Sequence, residues 1–265
     1  MKTMDSDTIY EENLKYWTGR VSGYSEVNKL ELATGQRQRW KHCLREEIGK
    51  HFPHRAAKEL RVLEIGTGPG FFAIILRELG FEVTAIDLTP AMLEEARKNA
   101  GFFADAITFL EMDAESLVFA DNSFDVVISR NLTWNLPHPE RAYAEWARVL
   151  KQEGLLLNFD ANWYAYLYED AALAAYKQDR VNSAEHGVWD QNIGDNFDVM
   201  EDIARHVPLS NIRRPVWDLK QLGRLGLYCN ADENIWKRVW SEDEKLNFAS
   251  TPMFLVRAGK GCSIH

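Results

Sequence analysis

Three glycines at alternate positions, Gly66, Gly68 and Gly70, carry the clearest chemical signal in the 265-residue chain. They follow the apolar run 62–65, and helical periodicity begins directly after them. This pattern predicts a buried strand, a tight turn and the start of a helix. Glycine permits backbone angles closed to other residues, so a ligand can approach the main chain. The free N–H groups at the helix start would then face an anionic group of that ligand.

Three ligand classes use a turn of this kind. A Walker phosphate loop requires a Gly-Lys-Ser/Thr ending, which the chain lacks. A dinucleotide fingerprint requires glycine at the position of Phe71. S-adenosylmethionine (SAM) has no pyrophosphate, so it needs to approach the backbone of the turn closely at only one point, with its carboxylate near the turn. A glycine turn that binds no ligand is the remaining alternative.

Acids follow the next two predicted strands. Asp87 ends the alternating segment 81–87, and Asp113 follows the segment 107–112. The carboxyl ends of parallel strands meet at the edge of the sheet where ligands bind. Asp87 can accept hydrogen bonds from two ribose hydroxyls, while Asp113 and the Ala114 N–H can pair with adenine. A single acid in such a place could instead cap a helix, but two acids beside the glycine turn favour a nucleoside site.

The segments around this core divide the chain into four parts. Residues 1–58 are predicted to form an N-terminal helical cap, with a helix from about Thr34 to His51 that Pro53 ends. The stretch Tyr16–Ser25 looks non-periodic and is either a packed arm or a lid. In a lid, Arg20 and Tyr24 would reach the ligand carboxylate.

After the core, 59–160, the alternation of strands and helices stops. Residues 161–215 are predicted to be an aromatic helical insertion that forms an acceptor site, with helices at about 163–181 and 196–206. Residues 216–265 would complete the sheet with a helix at Trp217–Leu225 and strands at Tyr228–Trp240 and Met253–Arg257.

Composition restricts the partners. The net charge is −9, from 31 basic and 40 acidic residues, and no basic stripe is present, which disfavours nucleic acid. The three cysteines are far apart and form no Cys-x-x-Cys pair, so we expect reduced thiols and no metal. With no apolar signal core and no run of membrane-spanning length, a cytoplasmic monomer or homodimer without membrane contact is predicted.

Five segments carry a family resemblance. They are 62–70, 87–93, 113–117, 119–127 and 148–154, and in this order they resemble the class I SAM-dependent methyltransferases, above all the branch of the ubiquinone/menaquinone-biosynthesis C-methyltransferases. The resemblance covers about residues 60–160. It implies an α/β fold with a Rossmann-like, seven-stranded, mostly parallel sheet, helices on both faces and an antiparallel last strand. The chain departs from the family at 151–154, where relatives carry Lys-Pro-Gly-Gly, and at 131–135.

Two sets of site residues follow. The predicted cofactor set is Arg20, Tyr24, Glu64, Gly66, Thr67, Gly68, Gly70, Asp87, Leu88, Met92, Asp113, Ala114 and Arg130. The predicted acceptor side has Asn131, Trp134 and His138 nearest the reaction, and Trp134, Asp160, Tyr164, Tyr168, His186 and Trp189 around the substrate. Each of three residues has an alternative role without substrate contact. His138 could simply precede a helix, and Tyr164 and Tyr168, at helical i,i+4 spacing, could pack in the core.

The leading hypothesis is methyl transfer from SAM to a small, aromatic or apolar metabolite, with S-adenosylhomocysteine as product. Alternatives on the same fold are aminopropyl transfer, cyclopropanation and a non-catalytic SAM-binding subunit. The sequence shows no convincing catalytic dyad, and positioning alone can carry much of the rate.

Overall fold

The structure is a computed structural model that describes residues 4–190 and 197–261. Over these residues, seven strands form one sheet in the order β3-β2-β1-β4-β5-β7-β6. The strands β1 to β5 are parallel, and β7 runs antiparallel to both β5 and β6. This confirms the predicted sheet. The strands are β1 Arg61–Ile65, β2 Glu82–Asp87, β3 Ile107–Glu111, β4 Phe124–Arg130, β5 Leu150–Asp160, β6 Leu227–Asp232 and β7 Phe254–Lys260.

Helices cover both faces of the sheet, because the central strands are apolar on both sides. One face packs on α2, α3, α4 and α9, and the other packs on α5 and α8. The helices are α1 Ser6–Ala33, α2 Gly35–His51, α3 Phe71–Glu78, α4 Pro90–Ala100, α5 Pro139–Val149, α6 Asp170–Glu185, α7 Phe197–Ala204, α8 Val216–Arg224, α9 Trp236–Val239 and α10 Glu242–Asn247.

The first helix lies across the glycine turn. It runs through the whole of Tyr16–Ser25, so the prediction of a non-periodic arm there is wrong. Contacts with α4 fix its position. The Ser25 hydroxyl donates to Glu95 (2.9 Å), and the Asn99 amide donates both to Ser25 (3.1 Å) and to the carbonyl of Pro69 (3.0 Å). Asn99 therefore links α1 directly to the glycine turn.

Two predicted elements differ from the structure. The strand predicted over Tyr228–Trp240 ends at Asp232, and α9 follows it. Ile235 and Val239 are fully buried, while Lys237 between them is exposed. An alternating strand would place all three on one face, whereas a helix separates Lys237 from the other two. The helix predicted at 163–181 starts only at Asp170, after a short 3-10 turn at Ala165–Leu167. The second helix predicted in the insertion, at about 196–206, corresponds to α7, which covers Phe197–Ala204. Residue 196 lies outside the described residues.

The division of the chain into four parts stays a prediction. None of the helices that the structure describes has both the length and the apolar character needed to cross a membrane.

Candidate functional site

The glycine turn has a backbone that only glycine adopts readily. Gly66, Gly68 and Gly70 have φ angles of +72°, +52° and +91°. The N–H groups of Gly66 and Thr67 both donate to the carbonyl of Ile86 at 2.9 Å, which anchors the turn to β2. A Cβ atom on Gly66 would lie 2.8 Å from the Leu132 side chain, and one on Gly70 would lie 3.2 Å from the Cα of Ala96. A side chain at Gly66 or Gly70 would therefore require its neighbours to shift.

Asp87, at the carboxyl end of β2, fixes the turn from the other side. One carboxylate oxygen accepts from the Gly68 N–H (2.8 Å), and the other accepts from the Thr89 N–H (2.9 Å). Burial raises the pKa of Asp87, while the N–H groups of Thr89 and Gly68 lower it. Each oxygen keeps a second lone pair, so this carboxylate can still accept from two hydroxyls of a ligand.

A cavity runs along the carboxyl ends of β1, β2, β3 and β4, under α1. We call it the strand-end cavity. Nine of the thirteen residues predicted to bind a cofactor line it. They are Tyr24, Gly66, Gly68, Asp87, Leu88, Met92, Asp113, Ala114 and Arg130.

Two asparagines that the sequence analysis missed also line the strand-end cavity. Asn13 of α1 and Asn135, after β4, are each 6% exposed, and the Asn13 amide donates to the Asn135 carbonyl at 3.1 Å. The side-chain oxygens of both have no hydrogen-bond partner among the described residues. Buried acceptors are normally paired, so these two oxygens fit a ligand that donates hydrogen bonds. Their sequence signal, asparagine among the apolar positions of a helix or loop, is too common to be recognised.

A second cavity lies beside the first and has a volume of about 320 Å³. The two share Trp17, Tyr24, Arg130 and Asn131 as a common wall. We call it the aromatic cavity, because most of its remaining lining is aromatic. Of the predicted residues, Arg20, Asn131, Trp134, Tyr164 and Trp189 line it together with Tyr24 and Arg130.

Comparison with known proteins identifies the core. Residues 63–158 match the family model described as a methyltransferase domain. Residues 63–158 form a SAM-dependent methyltransferase domain. The cofactor of this domain is SAM. SAM is a nucleoside that carries an amino-acid tail. The glycine turn, the two acids at strand ends and the two unpartnered asparagine oxygens all fit such a ligand.

The relatives of this methyltransferase domain cover part of the chain. The demethylmenaquinone methyltransferase of Renibacterium salmoninarum is 32% identical over 134 residues, which is 51% of this chain and 52% of the relative. The chain thus aligns over about half the length of the curated relatives it matches.

Solved structures share the fold of the methyltransferase domain and extend beyond it. A SAM-dependent methyltransferase structure from Methanococcus maripaludis has a TM-score of 0.56 at 19% identity, covering 93% of this chain and 94% of that one. Geranyl diphosphate C-methyltransferase from Streptomyces coelicolor has a TM-score of 0.55 at 14% identity, covering 84% and 80%.

Four residues predicted to bind the cofactor do not line the strand-end cavity. Glu64 is buried behind the glycine turn and accepts a hydrogen bond from the Thr67 hydroxyl at 2.8 Å. Gly70 is the N-cap of α3, and Arg20 lines the aromatic cavity instead. Glu64, Thr67 and Gly70 therefore shape the turn of the methyltransferase domain from behind.

Asp160, predicted to contact the acceptor, is fully buried and lines neither cavity. It forms an ion pair with the buried Arg214 (2.6 Å), which also pairs with Asp218. Its carboxylate accepts from the backbone N–H of Trp134 (3.0 Å) and from the indole N–H of Trp163 (3.1 Å). Asp160 thus positions two tryptophans of the aromatic cavity and has no free face for a substrate.

Three further acceptor candidates also lie away from both cavities. His138 precedes α5, and its N–H donates to Glu115 (2.7 Å), which matches the helix-entry alternative. The exposed Tyr168 donates its hydroxyl to the carbonyl of Arg205, and the exposed His186 lies at the C-terminus of α6. Within the described ranges, no cluster of three or more His, Cys, Asp or Glu residues could hold a metal ion.

Substitution of Asp87 tests the cofactor site. In Asp87→Ala, we expect the dissociation constant of S-adenosylhomocysteine to rise roughly tenfold or more, since hydrogen bonds to a charged group contribute about 1.5–3 kcal/mol. Isothermal titration measures this constant. The matched control is Asp105→Ala, at an exposed position after α4, which should bind like the wild type. Unchanged affinity in a folded Asp87→Ala protein would contradict the assigned role.

The pKa of the buried Glu64 predicts that the stability of the protein depends on pH. Burial raises the pKa of Glu64 from 4.5 to about 8. The folded protein therefore keeps a proton that the unfolded chain loses near pH 4.5, and the free energy of unfolding falls as pH rises through this window. In Glu64→Gln this contribution is absent. Urea unfolding should show that the variant gains at least roughly 1 kcal/mol over the wild type between pH 5 and pH 8.

The control for this experiment is Glu82→Gln, at a largely exposed position on β2. Its stability should follow that of the wild type at both pH values. Parallel pH dependences of wild type and Glu64→Gln would show that Glu64 is ionised in the folded protein across the window.

Proposed function

We propose that this protein transfers a methyl group from SAM to a small acceptor bound in the aromatic cavity. The observation that carries the proposal is the wall of Trp17, Tyr24, Arg130 and Asn131, which both cavities share. A cofactor with its nucleoside along Asp87 and Asp113 would have its amino-acid end at the glycine turn. Its sulfonium methyl group would then lie at the boundary between the cavities.

Alignment of the two reactants supplies the catalysis in this proposal. Methyl transfer is an in-line displacement, and effective molarities on the order of 10⁵ M or more are reached when reacting groups are held in line. The helix α1 covers the strand-end cavity with Tyr10, Asn13, Leu14 and Trp17, and this cover supports exclusion of water.

Hydrogen bonds and ring packing around Trp134 support its role in positioning the proposed acceptor. The backbone of Trp134 is held by Asp160, and its indole N–H donates to the carbonyl of Asn131 at 3.1 Å. The ring of Trp134 packs on Tyr164 with centroids 5.0 Å apart. Burial raises the pKa of Tyr164 well above its ordinary value, so its hydroxyl stays protonated. We therefore assign Trp134 and Tyr164 to acceptor positioning and not to proton removal.

The relatives support a small-molecule acceptor. The matching curated proteins include demethylmenaquinone methyltransferases, and the acidic net charge of −9 disfavours nucleic acid. We further propose a cytoplasmic location and a monomer or homodimer. Aminopropyl transfer, cyclopropanation and SAM binding without turnover are the alternatives that the assay below separates.

The assay combines purified protein, SAM and metabolite extracts, and follows products by mass spectrometry. We expect a product heavier by one methyl group in place of a hydrogen, formed together with an equal amount of S-adenosylhomocysteine. In Trp134→Leu, kcat/KM for that acceptor should fall roughly tenfold or more through lost positioning, with S-adenosylhomocysteine affinity retained.

Other outcomes of the assay would overturn the proposal in distinct ways. A different mass gain would indicate another SAM-dependent transfer, and cofactor binding without any product would indicate a non-catalytic subunit. Absence of S-adenosylhomocysteine binding to the folded protein would remove the cofactor site itself.

A further inference from the structure

The aromatic cavity is lined by a nearly buried carboxylate that has no salt bridge within the described part of the chain. Glu244 of α10 is 8% exposed and lines this cavity. Its Oε2 accepts from the Ser241 N–H (2.7 Å) and from the Gln36 amide. Among the described residues, its Oε1 has no hydrogen-bond donor and neither oxygen has a salt bridge. The Oε1 of this nearly buried carboxylate is therefore open to a cation or to further hydrogen-bond donors that enter the cavity.

The nearest buried cation is already paired with another acid. The guanidinium of Arg130 donates to Glu31 through both terminal nitrogens, at 2.5 and 3.3 Å. Glu31 accepts two more hydrogen bonds, from Asn28 and from Gln36, and is therefore fully satisfied. Because Gln36 bridges Glu31 and Glu244, the two acids and the one guanidinium form a single buried cluster with an excess of one negative charge.

Aromatic rings line the same cavity as Glu244. The Phe248 ring contacts Trp163 edge-on, with centroids 5.5 Å apart, and Trp240 at 5.8 Å. All three rings line the aromatic cavity with Glu244. The face of an aromatic ring attracts an organic cation, most strongly when water is excluded, and a carboxylate adds a full opposite charge.

Arg20 brings a positive charge to the lining of the same cavity. Arg20 lies on α1 and is half-buried. Its charge interacts electrostatically with the hydroxyl groups of Tyr16 and Tyr164. Solvent screens a partly exposed charge more than a buried one. The buried Glu244 is therefore the stronger determinant of which charge the cavity accepts.

We propose that the acceptor is a small organic cation whose ammonium group binds between Glu244 and the rings of Trp163, Trp240 and Phe248. An ammonium group has no lone pair, so it anchors the molecule, and a different atom of the acceptor that carries a lone pair forms the bond to the methyl group as the bond from that methyl group to the SAM sulfur breaks. The inference rests on the proposed function, because it assigns the aromatic cavity to the methyl acceptor. It replaces a purely apolar acceptor with an amine-bearing one. An uncharged ligand in the same place would cover the Glu244 carboxylate without giving it an opposite charge.

Two isosteric probes test the charge preference. Choline and 3,3-dimethylbutan-1-ol have the same shape and differ in the positive charge. Each is titrated into the protein saturated with S-adenosylhomocysteine, with tryptophan fluorescence or calorimetry as the readout. We expect wild-type protein to bind choline at least roughly tenfold more tightly than the neutral alcohol, as a desolvated cation–aromatic contact with a carboxylate implies.

The variant Glu244→Gln removes the charge and keeps the shape. Glutamine at this position can still cap α10 with Ser241 and accept from Gln36. We expect the preference for choline to fall to within roughly threefold, with S-adenosylhomocysteine affinity unchanged. The matched control is Glu242→Gln on the same helix, where the side chain is 86% exposed, and it should keep the wild-type preference.

The outcomes separate this inference from the proposed function. Failure of S-adenosylhomocysteine to bind would count against the methyltransferase assignment. Normal S-adenosylhomocysteine binding with equal affinity for the two probes, or with no binding of choline, would overturn the cation proposal alone. A choline preference that persists in Glu244→Gln would overturn it as well. The wild-type comparison is decisive even if the variant does not fold.

Discussion

The architecture of the site depends on the hydrogen bonds between the Asp87 carboxylate and the backbone N–H groups of Gly68 and Thr89. These bonds join the loop after β1 to the loop after β2, and they hold the central one of three glycines with positive φ angles. Charge-assisted hydrogen bonds offset part of the cost of burying Asp87. A carboxylate fixed in this way is preorganised to receive hydroxyl groups at the carboxyl edge of the sheet.

The two cavities recognise their ligands by different means. The strand-end cavity uses backbone geometry, acids at strand ends and two buried asparagine oxygens, all of which suit a polar nucleoside. The aromatic cavity uses rings and a buried cluster of three charged side chains, from α1, α10 and β4, that an amide from α2 links. The wall that the cavities share includes Trp17 and Tyr24 of α1. The position of this one helix therefore affects both cavities.

The strand-end cavity was largely predictable from the sequence, because its residues belong to short segments whose spacing is set locally. The glycine turn follows an apolar run, Asp87 ends an alternating segment, and Asp113 follows the next predicted strand. The rest depends on contacts between distant segments. Gln36 and Glu244 are 208 positions apart, and Asp160 and Arg214 are 54 apart. No local pattern shows that Asp160 is locked in an ion pair, or that α1 continues as a helix through Tyr16–Ser25 and brings Asn13 to the cofactor side.

The most direct test of the account is a crystal structure of the protein with S-adenosylhomocysteine. We expect the ribose hydroxyls within hydrogen-bond distance of Asp87, the adenine beside Asp113 and Asn13, and the homocysteine sulfur at the wall shared by the two cavities. A ligand bound elsewhere, with the strand-end cavity empty, would contradict the assignment of both cavities.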